Sequence, residues 1–219
     1  MKIIEYLRQH RIGFLLAIMV IFWTPVVILA KIAGEIIEKE PIGFDIAILN
    51  WLHAHSNAFF DQFFLIVTEL GGIIAVVLVT LFLTIYLWVY KKRRRAALTL
   101  AFGVGGAAAA NIVLKALFQR ERPSLWHPSV VETSFSFPSG HAMASAALIA
   151  CLVVILWKTK YRWFAVIGGA IIVALVGLSR LYLGVHYPSD VLAGWCASIA
   201  WVTIVVVVLR VLSRKFKQA

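Results

Sequence analysis

Charge is what this sequence of 219 residues has least of: Asp, Glu, Lys and Arg together make up 14% of it, and only ten of its residues are acidic. A soluble domain carries about 25% charged and about 45–50% apolar residues, whereas here the hydrophobic set reaches 62%. Too little polar surface remains to coat a globule, and the shortage also excludes intrinsic disorder. Cysteine is nearly missing, at two residues, so no disulfide framework or cysteine-rich metal module can be assembled. Cys151 and Cys196 both fall inside long apolar runs and read as small packing residues. No Pro/Ser-rich linker, low-complexity tract or internal repeat interrupts the chain, which reads as one domain over residues 1–219.

What is present is apolar sequence in long uncharged runs. A spanning helix needs about 20 mainly apolar residues, and residues 12–30, 70–90, 96–114, 142–157, 163–179 and 191–209 meet or approach that length without a charge. The expected fold is therefore an all-α polytopic membrane protein with six transmembrane helices. The first run follows Lys2, Arg8 and Arg11 as a secretory signal would, but its length exceeds the ~7–15 residues of a signal core. It reads as a retained helix, bent at Pro25.

Basic residues stay on the cytoplasmic side of a membrane. Fifteen of the 21 Lys and Arg fall in the N-terminal tail, loop 91–95, loop 158–162 and the C-terminal tail. The other six are Lys31, Lys39, Lys115, Arg120, Arg122 and Arg180, and they share their side with every acidic residue except Glu5. Both termini are thus expected in the cytoplasm, in a multi-pass cell (inner) membrane protein. The basic loops read as topology determinants against anionic lipid; no nucleic-acid partner is expected. Residues 34–69, outside between the first two runs, mix aromatic and charged residues as short interfacial helices do. Small residues in the third to fifth runs suggest that those spans form the tight core. Trp88, Tyr90, Trp157, Tyr161 and Trp163 read as interfacial anchors.

The polar residues that composition leaves unexplained gather at the outer ends of the last four runs. Lys115 and Arg122 lie seven apart, which on a continuing helix gives one face and about 10.5 Å of separation, with Pro123 stopping the helix. Arg180 adds a third cation, and guanidinium forks suit phosphate oxygens. Pro138-Ser139-Gly140-His141 supplies a turn that opens a helix, whose amides and Ser139 hydroxyl favour an anion. His186 and Asp190 are spaced i, i+4, so a carboxylate can fix the tautomer and make the other ring nitrogen a better nucleophile. With a single acid expected at this end, neither a divalent-metal site nor an acyl-transfer triad is indicated.

Lys115-x6-Arg122-Pro123, Pro138-Ser139-Gly140-His141 and Ser179-Arg180-x5-His186-x3-Asp190 resemble, in order, the three signature motifs of the type 2 phosphatidic acid phosphatases. That superfamily also includes vanadium haloperoxidases and bacterial acid phosphatases. The motif core covers residues 115–190, and the layout resembles the membrane lipid phosphatase branch, of the phosphatidylglycerophosphate or undecaprenyl pyrophosphate phosphatase kind. The resemblance implies that Lys115, Arg122, Ser139, Gly140 and Arg180 hold phosphate, His186 forms a phosphohistidine, Asp190 orients it, and His141 is the general acid. It implies no metal and no cofactor, with a membrane lipid as substrate at the outer face. A lipid phosphotransferase with the same site, or a non-enzymatic anion transporter, are the alternatives. His53, His55 and His127 receive no role, while Trp126, Phe135 and Phe137 are candidates for shaping the pocket.

Overall fold

The computed structural model describes residues 2–38, 42–126, 130 and 132–215, among which every regular element is a helix. Their order is α1 (Lys2–Ile37), α2 (Gly43–Ala54), α3 (Ala58–Leu70), α4 (Ile73–Ile85), α5 (Arg94–Phe118), α6 (Gly140–Leu156), α7 (Arg162–Tyr182) and α8 (Pro188–Lys215). A π-helical turn, Tyr86–Tyr90, extends α4. Among the described residues, five stretches are long and apolar enough to cross a membrane: Met19–Ile37, Ala58–Tyr90, Arg94–Phe118, Arg162–Tyr182 and Pro188–Ser213. The fourth expected span, α6, is apolar but shorter, at 17 residues. Large apolar side chains such as Ile74, Phe82, Ile112 and Phe164 are exposed on the outside of the bundle, as lipid-facing positions are. The chain is a multi-pass membrane protein.

Residues 34–69 contain short helices, as expected. α1 runs on to Ile37, and two short helices follow. α3 starts where the Asn57 side chain accepts the Phe60 amide at 3.1 Å, satisfying one of the free donors of a first turn. It ends at Gly71, where Val176 of α7 occupies the space that a Cβ would take. The expected second span, 70–90, lies within the longer stretch Ala58–Tyr90, in which Leu70 closes α3 and α4 starts beyond Gly72.

The core differs from expectation in one respect. α6 packs against α5, α7 and α8, while α8, not α7, shares the main apolar cluster with α5. That cluster joins Ala97, Leu100, Val104 and Ala107 of α5 to Met143, Ala147 and Cys151 of α6 and Ala197 and Val202 of α8. Small residues are paired with large ones across it. Trp201 fills the space beside Gly106, and Cys151 the space beside Gly103. Both cysteines are buried and free. Periodicity reveals small faces but not which helix each one meets.

α5 also stops earlier than the spacing suggested. Its last residue is Phe118, and Gln119 takes a left-handed conformation (φ 45°) while its amide bonds the Lys115 carbonyl at 3.1 Å. Arg122 therefore does not lie on the helix of Lys115. The chain turns away four residues before Pro123, and Arg120 just beyond the turn is held by two carboxylates.

Candidate active site

Four helix ends meet at one end of the bundle: the close of α5 and α7 and the start of α6 and α8. Ser139 precedes α6, and its amide donates to the Asp190 carbonyl at 3.1 Å. Gly194 allows this approach, since a Cβ there would lie 3.0 Å from the Ser139 carbonyl oxygen. Asn111 of α5 donates to the Pro138 carbonyl at 3.0 Å, pinning the turn from the other side.

His186 lies two residues before α8, so its pairing with Asp190 does not depend on helix geometry. Nδ1 faces Asp190 Oδ2 at 3.4 Å, and the same oxygen accepts the Tyr187 amide at 2.9 Å. Nε2 lies 3.2 Å from Arg122 Nη1. A guanidinium can only donate, so Nε2 must present its lone pair, leaving the proton on Nδ1 toward the carboxylate. Complete burial drives the imidazole down, to about 4, against the opposing pull of Asp190. The ring is neutral at neutral pH, with its Nε2 lone pair directed at Arg122.

The three expected cations do converge. Arg122 donates to the Ser134 carbonyl through Nε at 2.7 Å and to the Val185 carbonyl through Nη1 at 2.7 Å. Lys115 meets it across the Ser134 hydroxyl, at 2.9 Å from Nζ and 3.2 Å from Arg122 Nη2, and also bonds the Phe135 carbonyl. Arg180, 1% exposed, donates to Thr68 Oγ1 of α3 at 2.7 Å. His141, in the first turn of α6, lies within the field of Arg180, Glu132, His186 and Lys115. Buried polar atoms are ordinarily hydrogen-bonded. Yet among the described residues Ser139 Oγ and Arg180 Nε are buried without a partner. Three cations, one of them with an unspent donor, and the unspent Ser139 hydroxyl suit this end of the bundle to an anion.

Several residues here escaped the sequence reading. Glu132 forms an ion pair with Arg180 and lies 3.5 Å from Arg122. Burial would raise its carboxyl, but Arg180 first and then Arg122 hold it below the usual carboxylate range. Asp45 of α2, buried at 2%, accepts from Arg120 Nη2 at 2.8 Å and from the Ser189 amide at 2.8 Å. Arg120 reaches Asp190 Oδ1 at 2.6 Å with its other nitrogen and lies over the Tyr187 ring. The sequence led to one acid at this end; among the described residues the structure pairs three with arginine, Asp45, Glu132 and Asp190. Asp45 left one faint signal, a lone acid in an apolar helical stretch. Glu132, Thr68 and Ser134 left none, because loop and helix positions far apart in sequence carry no period.

The other expectations divide. Phe137 packs in the interior against Phe118, with ring centres 4.9 Å apart, while Phe135 is exposed. Trp126 stacks on His53 at 4.2 Å, and His55 bonds the Trp51 carbonyl at 2.7 Å. His127 lies outside the described residues.

A family model described as the PAP2 superfamily matches residues 96–214, a stretch that contains all three motifs and the four helix ends. The chain belongs to the PAP2 superfamily. Among curated relatives, it is 43% identical over 90 residues to phosphatidylglycerophosphatase B of Bacillus subtilis (strain 168), covering 39% of this chain and 44% of that protein. It is 28% identical over 170 residues to an undecaprenyl-diphosphatase of Sulfolobus acidocaldarius, covering 75% and 78% of the two chains. The crystal structure of a transmembrane PAP2-type phosphatidylglycerolphosphate phosphatase from Bacillus subtilis superposes with a TM-score of 0.73. That match has 27% identity and covers 87% of this chain and 94% of the other. In this PAP2 chain the family motifs and the anion-binding geometry coincide.

Proposed function

We propose that this protein is an integral-membrane lipid phosphatase that removes a phosphate from a lipid phosphomonoester or diphosphate through a phosphohistidine, without a metal. Phosphatidylglycerophosphate, phosphatidic acid and undecaprenyl diphosphate are the substrates of matching chemistry. The observation that carries the reading is the His186 Nε2 lone pair set 3.2 Å from Arg122, beside Arg180 and Lys115. Phosphoryl transfer chiefly requires positioning and charge neutralisation, and the three cations with Ser139 and the Gly140 amide supply both.

In the first step Nε2 forms a bond to phosphorus as the bond to the lipid oxygen breaks, and His141 delivers its proton to that oxygen. Asp190 steadies the Nδ1 proton as the ring gains charge. In the second, water gives a proton to His141 and attacks phosphorus, the P–N bond breaks, and inorganic phosphate leaves. Glu132 occupies the same two guanidiniums that phosphate needs, so it yields them when substrate binds.

The lipid reading also calls for six spans. At about 1.5 Å per residue α6 is about 26 Å long, near the ~30 Å of a bilayer core. The charge asymmetry then sets both termini in the cytoplasm and the catalytic end outside. Phosphate release from the three lipids tests the proposal, run with and without EDTA and with His186→Ala as the blank. Release that survives EDTA and vanishes in the variant supports it, while release requiring an added divalent cation overturns the metal-free mechanism.

A further inference from the structure

At the end of the bundle opposite the catalytic groups, the start of α5 and the ends of α6 and α8 flank a cavity of about 950 Å³. Ligand pockets commonly occupy about 300–1,000 Å³. Lys92, Arg93, Arg94, Arg95 and Lys158 line it among the described residues, and no described Asp or Glu does. Like charges gathered round one volume raise its potential until an anion compensates them. The first turn of α5 forms part of the same wall, and Arg93 ahead of it makes no side-chain cap. Amides of a first turn lack intrahelical acceptors and add partial positive charge.

Besides the hydroxyl residues Thr99 and Ser213, the rest of the wall is apolar and includes Val154, Ile155 and Val206, with Trp157 beside them. Trp88, Trp157, Tyr161 and Trp163 are exposed at this same end, the depth of lipid headgroups. A small soluble anion would use the cations and waste the apolar half. An anion with an apolar body uses both. We propose that this cavity binds the phosphate-bearing headgroup of an anionic phospholipid, with its chains lying along the apolar wall beside α6 and α8. The site is separate from the catalytic end, and the lipid it holds ties three core helices together. The chemistry shared with a free phosphate is the anion; the apolar wall selects the lipid.

The test uses the purified full-length chain in detergent, with binding read by native mass spectrometry and thermal unfolding. The probes are dioctanoyl phosphatidylglycerol, dioctanoyl phosphatidylcholine and inorganic phosphate. Phosphatidylglycerol is expected to remain bound and raise the unfolding temperature, and phosphatidylcholine is not. Arg93→Gln combined with Lys158→Gln should weaken phosphatidylglycerol by about 30-fold, at about 5-fold per cation lost near an anionic headgroup. Val154→Trp, which fills the cavity without changing charge, should weaken it as well. His186→Ala should bind it like the parent protein. Unchanged affinity in both cavity variants overturns the proposal, as does equal binding of phosphatidylcholine or loss of binding in His186→Ala. Protection by inorganic phosphate equal to that by phosphatidylglycerol overturns the lipid assignment in favour of a soluble anion.

Discussion

Replacing Glu132 by Gln removes a negative charge from between Arg180 and Arg122 while keeping the side-chain shape. This carboxylate pairs with Arg180 Nη2 and lies 3.5 Å from Arg122 Nη2, so a phosphate anion that takes both of these nitrogens must displace it. A Coulomb estimate at 3.5 Å and an effective dielectric of 20 gives about 5 kcal/mol as an upper bound. The side chain is 24% exposed, and a hydrogen bond to a charged group is worth about 1.5–3 kcal/mol net. The lower range is the better guide, because the displaced carboxylate regains water. Removing this competitor should tighten binding of orthophosphate or vanadate by about 10- to 150-fold. The assay is the competitive inhibition constant for phosphate release at pH 7, backed by calorimetry with each anion. An inhibition constant that stays the same or weakens in Glu132→Gln would refute the reasoning, since it would mean that the carboxylate and the anion do not compete.

Acid should destabilise the protein through two groups. Glu132 has its folded pKa held below the usual range, so its contribution is present above the ordinary carboxylate value and is lost as pH falls through the lowered one. His186 is pushed from 6.5 to about 4, so between those values the unfolded chain takes a proton that the native site refuses, and stability falls with pH; thermal unfolding from pH 7 to 4 checks both. Turnover against pH should be bell-shaped, because His186 must be neutral and His141 protonated; a single-limbed profile counts against the assigned roles. His186→Ala and His141→Ala should each nearly abolish phosphate release, read with a lipid phosphate at saturation. Asp45→Asn should lower kcat by about 10- to 100-fold with little change in KM, the usual cost of losing an outer hydrogen-bond partner. An equal rise in KM would mean that Asp45 acts on substrate binding instead.

The sequence by itself determined that this chain lives in a membrane, because uncharged runs of spanning length can be satisfied there and nowhere else. It also determined which residue types gather at one end. Lys115, Arg122, Ser139, Arg180, His186 and Asp190 were all legible, since ionisable groups at the edge of apolar runs need a reason to be there. Only the tertiary structure decided how they meet. The left-handed turn at Gln119 takes Arg122 off α5 and brings it to His186, where spacing alone would have kept it on the helix of Lys115. Asp45, Thr68 and Glu132 enter the site from α2, α3 and the loop before α6, segments whose sequence reads as interfacial or unstructured. The choice of α8 over α7 as the partner of α5 is likewise invisible in sequence, because a small face records that something packs closely but not what. Periodicity is a local property of the chain, and a buried ion pair joins groups whose separation in sequence has no period at all.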